Sequence, residues 1–278
     1  MFKIVILIKL LSIICVVSSQ NSKSERIFGG TAAEDGQFPY MVDLSVLYRG
    51  EFYHICGGTL IHSNWIITAG HCAYYVQKLK LDLNVTLGVT DITNGPNKWS
   101  ELVLNDDIII HENYTDDGST AVNDVALIKV RKTIFYSANV LPVRLPSQSD
   151  NNTFAGQTGI LSGWGFNMNR NKSEPNILQF IEEQILTNDE CSAQNVNYPE
   201  IIESEICISS NNGKTACPGD SGSPLVVRDD KLGDILVGIA SYVDIGEVCK
   251  GVNNGPVVFM RISYFMDWIE GTTGLNFK

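Results

Sequence analysis

The sequence is poor in charge, and poorest in positive charge. Of its 278 residues, 18% are Asp, Glu, Lys or Arg, against roughly 25% in an average soluble protein. The 31 acidic residues outnumber 20 basic ones, for a formal net charge of −11. That balance argues against nucleic acid as the main partner, because phosphate binding is carried by Lys and Arg. It equally disfavours an anionic membrane surface. Histidine is scarce, with four in the chain, and no Cys-x-x-Cys pair occurs, which leaves little from which to build a zinc site. Long hydrophobic runs are missing as well. Lys9 interrupts the apolar N-terminal segment, and the run Leu10 to Val17 is only eight residues, far short of the ~20 that span a bilayer. There is no internal repeat and no low-complexity tract. With 44% hydrophobic residues, wholesale disorder is excluded. The length suits one large domain or two small ones.

The N-terminus has the layout of a secretory signal: an early Lys3, an apolar stretch, then the small residues Ser18 and Ser19. Residues 1–19 are read as that signal, with a membrane anchor as the rival reading. Removing residues 1–26 takes away Lys3, Lys9, Lys23, Arg26 and Glu25, leaving 16 basic and 30 acidic residues and a net charge of −14. Such a surface attracts cationic partners over acidic ones. Cysteine usage agrees with secretion. Cys15 leaves with the signal, and the remaining six, Cys56, Cys72, Cys191, Cys207, Cys217 and Cys249, suit three disulfides in an oxidising compartment, with fifteen pairings open. Asn84, Asn113, Asn151 and Asn171 each begin an Asn-x-Ser/Thr glycan acceptor motif.

The body reads as many short strands separated by Gly, Pro and Asn-rich turns, such as Thr93-Asn94-Gly95-Pro96. Candidate strands are Tyr40–Leu47, Trp65–Thr68, Asn84–Val89, Val125–Val130, Gly159–Gly163, Ile177–Ile185, Leu225–Val227, Ile235–Ser241 and Val257–Ile262. This pattern predicts an all-β sandwich or barrel. One helix is expected near the end, capped by Ser263, with an apolar face of Tyr264, Phe265, Trp268 and Ile269, and stopped by Gly271. Pro142 and Pro146 mark a boundary within Leu141–Ser149.

Three stretches carry chemistry: Thr68-Ala69-Gly70-His71-Cys72, Asn123-Asp124-Val125-Ala126-Leu127-Ile128, and Cys217-Pro218-Gly219-Asp220-Ser221-Gly222-Ser223-Pro224. In order they offer an imidazole, a carboxylate and a hydroxyl flanked by glycines. A serine is unreactive without an adjacent base. Histidine can take and return a proton near neutrality, and a buried carboxylate fixes its tautomer. Glycines beside the serine let backbone N–H groups approach a developing oxyanion.

These motifs, together with Arg26-Ile27-Phe28-Gly29-Gly30, Cys56-Gly57-Gly58-Thr59-Leu60-Ile61 and Ser162-Gly163-Trp164-Gly165, resemble the trypsin/chymotrypsin family of serine proteases, from Ile27 to about Gly271. The resemblance implies two antiparallel six-stranded β-barrels, at about 27–140 and 141–262, and a C-terminal helix at about 263–271. The resemblance also implies a protease domain at 27–278 and an activation pro-segment at 20–26. It implies catalytic roles for Ser221 (nucleophile), His71 (base, then acid) and Asp124, in preference to Asp106, Asp107, Asp116 and Asp117. Gly219 and Ser221 are implied as oxyanion donors, and Ser241 as a support for the acid. His54 falls at a family position with a structural role. The disulfides implied are Cys56–Cys72, Cys191–Cys207 and Cys217–Cys249. Cleavage after Arg26 would free Ile27 to pair with Asp220. Polypeptide substrates, a separate trypsin-like activating protease and protein inhibitors are the implied partners of a secreted monomer. No cofactor is expected, and no metal, because the calcium-loop region near Val89-Thr90-Asp91 lacks the acidic residue that the family has there.

Specificity follows from the pocket positions that the resemblance assigns. Thr215 stands at the floor where trypsin-like members have Asp, so Lys and Arg are disfavoured before the scissile bond. Val243 and Val257 at the walls narrow the pocket, and Tyr242 replaces the usual Trp. The expectation is cleavage after small or medium apolar residues. The alternatives are chymotrypsin-like cleavage after large apolar residues, and a catalytically inactive homologue that binds or regulates. Ser223 replaces a family glycine, which would cost roughly 1 kcal/mol if the position needs a positive φ.

Overall fold

The computed structural model describes residues 27–277 apart from 94, 96–98, 119, 148–151, 166–176, 196–199, 211 and 244–254. The signal and pro-segment, Arg26, Cys249, Asn151 and Asn171 lie outside the described residues.

Alternating apolar residues organise two antiparallel sheets. In spatial order the N-terminal sheet is Trp99–Val103 (β6), Leu83–Leu87 (β5), Met41–Tyr48 (β2), Glu51–His62 (β3), Trp65–Thr68 (β4), Ala126–Lys129 (β10) and Ile108–Ile110 (β7). It curls without a closing pair between β6 and β7 among the described residues. The C-terminal sheet is Thr31–Ala32 (β1), Gln179–Leu186 (β12), Thr158–Gly163 (β11), Pro224–Asp229 (β14), Gly233–Val243 (β15), Val257–Arg261 (β16) and Glu205–Ile208 (β13). Here β13 returns to pair with β12, Ile185 opposite Ile208, and closes a six-stranded barrel with β1 outside it. A small hairpin, Thr115–Asp116 (β8) and Ala121–Val122 (β9), precedes Asp124. Strand β2 is buried on both faces up to Val46. Its period of two turns Val42, Leu44 and Val46 one way and Met41, Asp43 and Ser45 the other. Met41 reaches the other half, with its Sδ 3.1 Å from the Ser162 hydroxyl.

Strands β1, β3, β6, β7 and β13 of the two sheets were not among the expected elements, and neither were two helices, Gly70–Leu79 (α1) and Asn188–Gln194 (α2). The second carries a complete capping box between Thr187 and Glu190, a signal that the sequence does contain. The expected last helix is Ile262–Thr273 (α3), with Arg261 at the N-cap. Ser263 therefore lies inside the first turn and caps nothing. The chain leaves the helix at Gly274, φ +69°, because a left-handed terminus favours glycine; Gly271 is simply tolerated. Ile262, Phe265, Met266 and Ile269 of α3 belong to the same apolar cluster as Val42, Leu60 and Leu127 of the N-terminal half. Two disulfides, Cys56–Cys72 and Cys191–Cys207, are formed, and Cys217 is disulfide-bonded.

Ser223 fits without a left-handed backbone. The residues of its turn with positive φ are Gly219 at +97° and Gly222 at +79°, so the strain expected at Ser223 does not arise. Its side chain, fully buried, fills space left by two glycines of facing strands. A Cβ at Gly57 would meet the Ser223 Oγ at 2.1 Å, and one at Gly163 would meet it at 3.1 Å. Gly57→Ala should therefore cost about 1–3 kcal/mol of stability, an overpacking effect. Ser223→Gly in the same chain should recover much of it, read by urea unfolding. Equal losses in the single and double variants would mean that the two positions do not share that space.

Candidate active site

Asp124 is set by an unusual backbone step. Asn123 before it has φ +50°, held by its side-chain N–H bond to the Asn113 carbonyl at 3.0 Å. The turn drives the carboxylate inward, where it is 0% exposed. Three donors meet it. The His71 backbone N–H gives to Oδ1 at 2.7 Å, and His71 Nδ1 lies 2.8 Å from Oδ2. The Ser241 hydroxyl donates to Oδ2 at 2.5 Å. The first of these does the work of a helix cap: α1 has Ala69 at its N-cap and no cap from that side chain, and Asp124 supplies the missing acceptor. Gly70 permits the approach, since a Cβ there would stand 3.2 Å from Asp124 Oδ1 and 3.0 Å from Tyr114.

The three interactions shape the titration of the pair. Burial would raise Asp124, yet the charge and hydrogen bonds of His71 and the Ser241 hydroxyl hold it below the usual carboxylate range. Burial would lower His71, yet the Asp124 carboxylate outweighs it and raises the imidazole above its ordinary value. The outer face of the ring remains open, with the side chain 23% exposed.

Ser221 approaches from the C-terminal half. Its carbonyl accepts from Gly57 N–H at 2.8 Å, and a Cβ on neighbouring Gly222 would lie 2.2 Å from the Thr68 hydroxyl and 3.1 Å from Ala69 N. The serine turn thus packs on the strand end that leads into His71. Within residues 217–223 the backbone donors divide cleanly. Cys217 N–H gives to Asp220, Asp220 N–H to Cys217 O, Gly222 N–H to Ala240 O, and Ser223 N–H to Asp220 O. Among the described residues, only the N–H groups of Gly219 and Ser221 have no protein acceptor here. They are the two donors of the turn that remain available to a ligand oxygen.

A trypsin family model matches residues 27–269. The chain belongs to the trypsin family of serine proteases. It is 37% identical over 256 residues to a collagenase of Hypoderma lineatum, covering 91% of this chain and 89% of that one. It is 33% identical to Trypsin-1 of Astacus astacus, covering 88% and 98%. The solved structure of HL collagenase superposes with a TM-score of 0.73 at 35% identity, over 90% of this chain and all of that one. The protein is thus a serine endopeptidase, a hydrolase.

The residues expected to line the pocket lie together on the C-terminal barrel. Val243 and Val257 face each other across β15 and β16, on an apolar cluster with Ala216 and Ala240. Thr215 is fully buried, its backbone pairs with Phe28, and its hydroxyl has no partner among the described residues. Tyr242 turns toward the protein, packs near the Cys191–Cys207 disulfide and donates to Glu205 Oε1 at 3.1 Å. A cavity of about 650 Å³ lies apart, between Thr187, Asn188 and Arg261, where the Arg261 guanidinium donates to carbonyls of Thr153, Glu203 and Glu205. The one His/Cys group with metal-like spacing among the described residues is Cys56, Cys72 and His71. Its sulfurs are joined in a disulfide and offer no thiolate.

The balance at His71 can be measured. In a Ser221→Ala chain its imidazole should titrate above the ordinary ~6.5, followed by NMR. Adding Asp124→Asn should bring the midpoint below that value, because burial, the largest influence on the ring, is then opposed only by the charge of Asp116. A midpoint at or below ~6.5 with Asp124 intact would mean that desolvation wins.

Proposed function

We propose that the chain is a secreted zymogen, cut after Arg26, whose active form hydrolyses peptide bonds after small or medium apolar residues. The observation that carries the reading is the convergence of the His71–Asp124–Ser241 network with a serine turn that keeps two N–H groups free. In this mechanism Ser221 Oγ attacks the scissile carbonyl while His71 Nε2 takes its proton, and the Gly219 and Ser221 N–H groups receive the oxyanion. His71 then gives the proton to the leaving amine, and water repeats the sequence on the acyl-enzyme. The steps follow the family template. Asp124 keeps Nδ1 protonated so that Nε2 can act as base.

The substrate backbone has a strand to lie against. Pairing of β15 with β14 ends at Ile239, whereas its pairing with β16 runs on to Val243. From Ser241 onward one edge of β15 is open among the described residues, which suits an extended polypeptide. Beside it, Val243 and Val257 narrow the space available to the residue before the scissile bond. Thr215 offers no charge for Lys or Arg. Disulfides favour an oxidising compartment. Of the two described glycan motifs, Asn113 is exposed, whereas the Asn84 amide is committed to Thr86 at 2.9 Å.

Activation is supported by the surroundings of Asp220. Its carboxylate is 0% exposed and accepts from Gly165 N–H at 2.7 Å and Cys217 N–H at 2.8 Å. Burial pushes its pKa up to about 6. A raised pKa makes this group's share of stability largest below about 4 and lost as pH rises through about 6. The uncut chain therefore carries a buried anion at neutral pH that a cation would relieve. Ile27 is already buried in the C-terminal apolar cluster, at φ +30°, which is costly for a β-branched residue. Cutting after Arg26 would release that backbone and supply an ammonium.

Two experiments test this. An organophosphonate should label the cut chain on Ser221 and leave Ser221→Ala unlabelled; labelling of both variants, or of neither, would sink the nucleophile assignment. A peptide-library profile on the same cut material reads the preference. Purified uncut chain should need an added Arg-specific protease to expose Ile27-Phe28-Gly29, and the cut form should then melt higher at pH 7. That gain should fade as pH rises past the amine's value, which pairing lifts above ~8. Rapid self-cutting, or no change in melting, would count against the scheme.

A further inference from the structure

A second histidine–aspartate pair lies behind the serine turn. Asp43 on β2 is 5% exposed and His54 on β3 is 7% exposed. Asp43 Oδ1 is 2.6 Å from His54 Nδ1. On the far side of the same ring, Nε2 is 3.0 Å from the carbonyl oxygen of Gly219. An ionised carboxylate accepts only, and so does a backbone carbonyl. A neutral imidazole has one N–H and could satisfy one of these partners, leaving the other facing a lone pair. A proton resting on the carboxyl would also fit the count, but a carboxylate is ordinarily a weaker base than an imidazole by more than two pKa units.

We propose that His54 is protonated on both ring nitrogens, and that the Asp43–His54 pair is a positioning device that aims the Gly219 N–H at the oxyanion. Asp43 and His54 are positioning residues and touch no substrate. The proposal rests on the reading of Gly219 and Ser221 as oxyanion donors.

Gly219 needs such a device. It stands at φ +97°, and glycine has no side chain to hold it there. The peptide that follows it is gripped at both ends: its carbonyl by His54, and its N–H, that of Asp220, by the Cys217 carbonyl at 2.9 Å. With one end released, the glycine gains rotational freedom and its own N–H loses direction. Oxyanion donors act on charge that develops in the transition state, so misaiming one lowers kcat and leaves KM nearly unchanged. Two acids face the ring's charge, Asp43 in contact and Asp220 at longer range, and the Trp164 ring packs beside it with centroids 6.1 Å apart.

The test uses the full, activated protease and a chromogenic peptide substrate. Asp43→Asn keeps the shape and an oxygen for Nδ1–H, but removes the charge that retains the second proton. Losing an oxyanion donor outright costs about 10²–10³-fold in kcat. Loosening one should cost about 10–100-fold, with KM within about twofold and organophosphonate labelling still stoichiometric. Nitrogen-15 NMR of the wild-type protein should show protons on both His54 ring nitrogens at neutral pH, and of Asp43→Asn on one. Unchanged kcat in a folded Asp43→Asn, or a single ring N–H in the wild type, overturns the proposal. A fall in melting temperature with kcat intact does the same, because it assigns the pair to stability alone. Should Ser221 fail to label in the wild type, the reading of the serine site fails, while the NMR result still decides the state of His54.

Discussion

Asp124 is fully buried, and three donors converge on it from two halves of the molecule. A carboxylate removed from solvent is costly unless its lone pairs are met, and here each donor has a second structural duty. The His71 N–H begins α1, the His71 ring is the candidate base, and Ser241 sits at the bulge of β15, beyond which that strand has an open edge. Meeting the needs of one anion thus fixes the start of a helix, the tautomer of an imidazole and the position of a strand on the opposite barrel. The left-handed Asn123 and the bare Cα of Gly70 are the local concessions that let the carboxylate arrive.

The parts of this arrangement legible in the sequence are those encoded by neighbours. Trp65–Thr68 forms the expected strand residue for residue, because a short apolar run bounded by polar turns has few alternatives. The His71, Asp124 and Ser221 stretches stand out since each couples an apolar strand end to a reactive side chain. Helix α1 was hidden because its cap comes from Asp124 and its buried face is made of small residues, Cys72, Ala73 and Val76, that carry little periodic signal. Asp43 was hidden for a related reason. An acid inside the run Met41–Val46 marks a buried charge, but its partner is fixed only when β2 and β3 pair with a bulge between Leu44 and Ser45. Ser223 looked like a liability in one dimension and is accommodated in three, because Gly57 and Gly163 are absent side chains on two other strands.

Glycine is concentrated where the two halves meet. Gly57, Gly163 and Gly165 come within contact distance of Ser223 or Asp220, and a Cβ at Gly165 would stand 2.2 Å from the Asp220 carboxylate. Backbone can therefore approach backbone beside the serine turn. The Asp220 carboxylate can then be met by the main-chain N–H groups of Gly165 and Cys217, whose direction is set by the fold. Such donors reorganise little when charge appears nearby, which is what electrostatic stabilisation of an oxyanion requires.

The last helix closes the molecule on itself. Ile262, Phe265, Met266 and Ile269 follow directly from the C-terminal barrel and join an apolar cluster that spans both halves, with Val42, Leu60 and Leu127 on one side and Leu236 and Ile239 on the other, and the Trp268 indole donates to Glu112 at 2.9 Å. During synthesis, the N-terminal sheet must wait with part of its core uncovered until residues 262–273 have been made. That interval leaves apolar surface open to chaperones and to other chains. The half made first therefore cannot be completed before the last helix has been made.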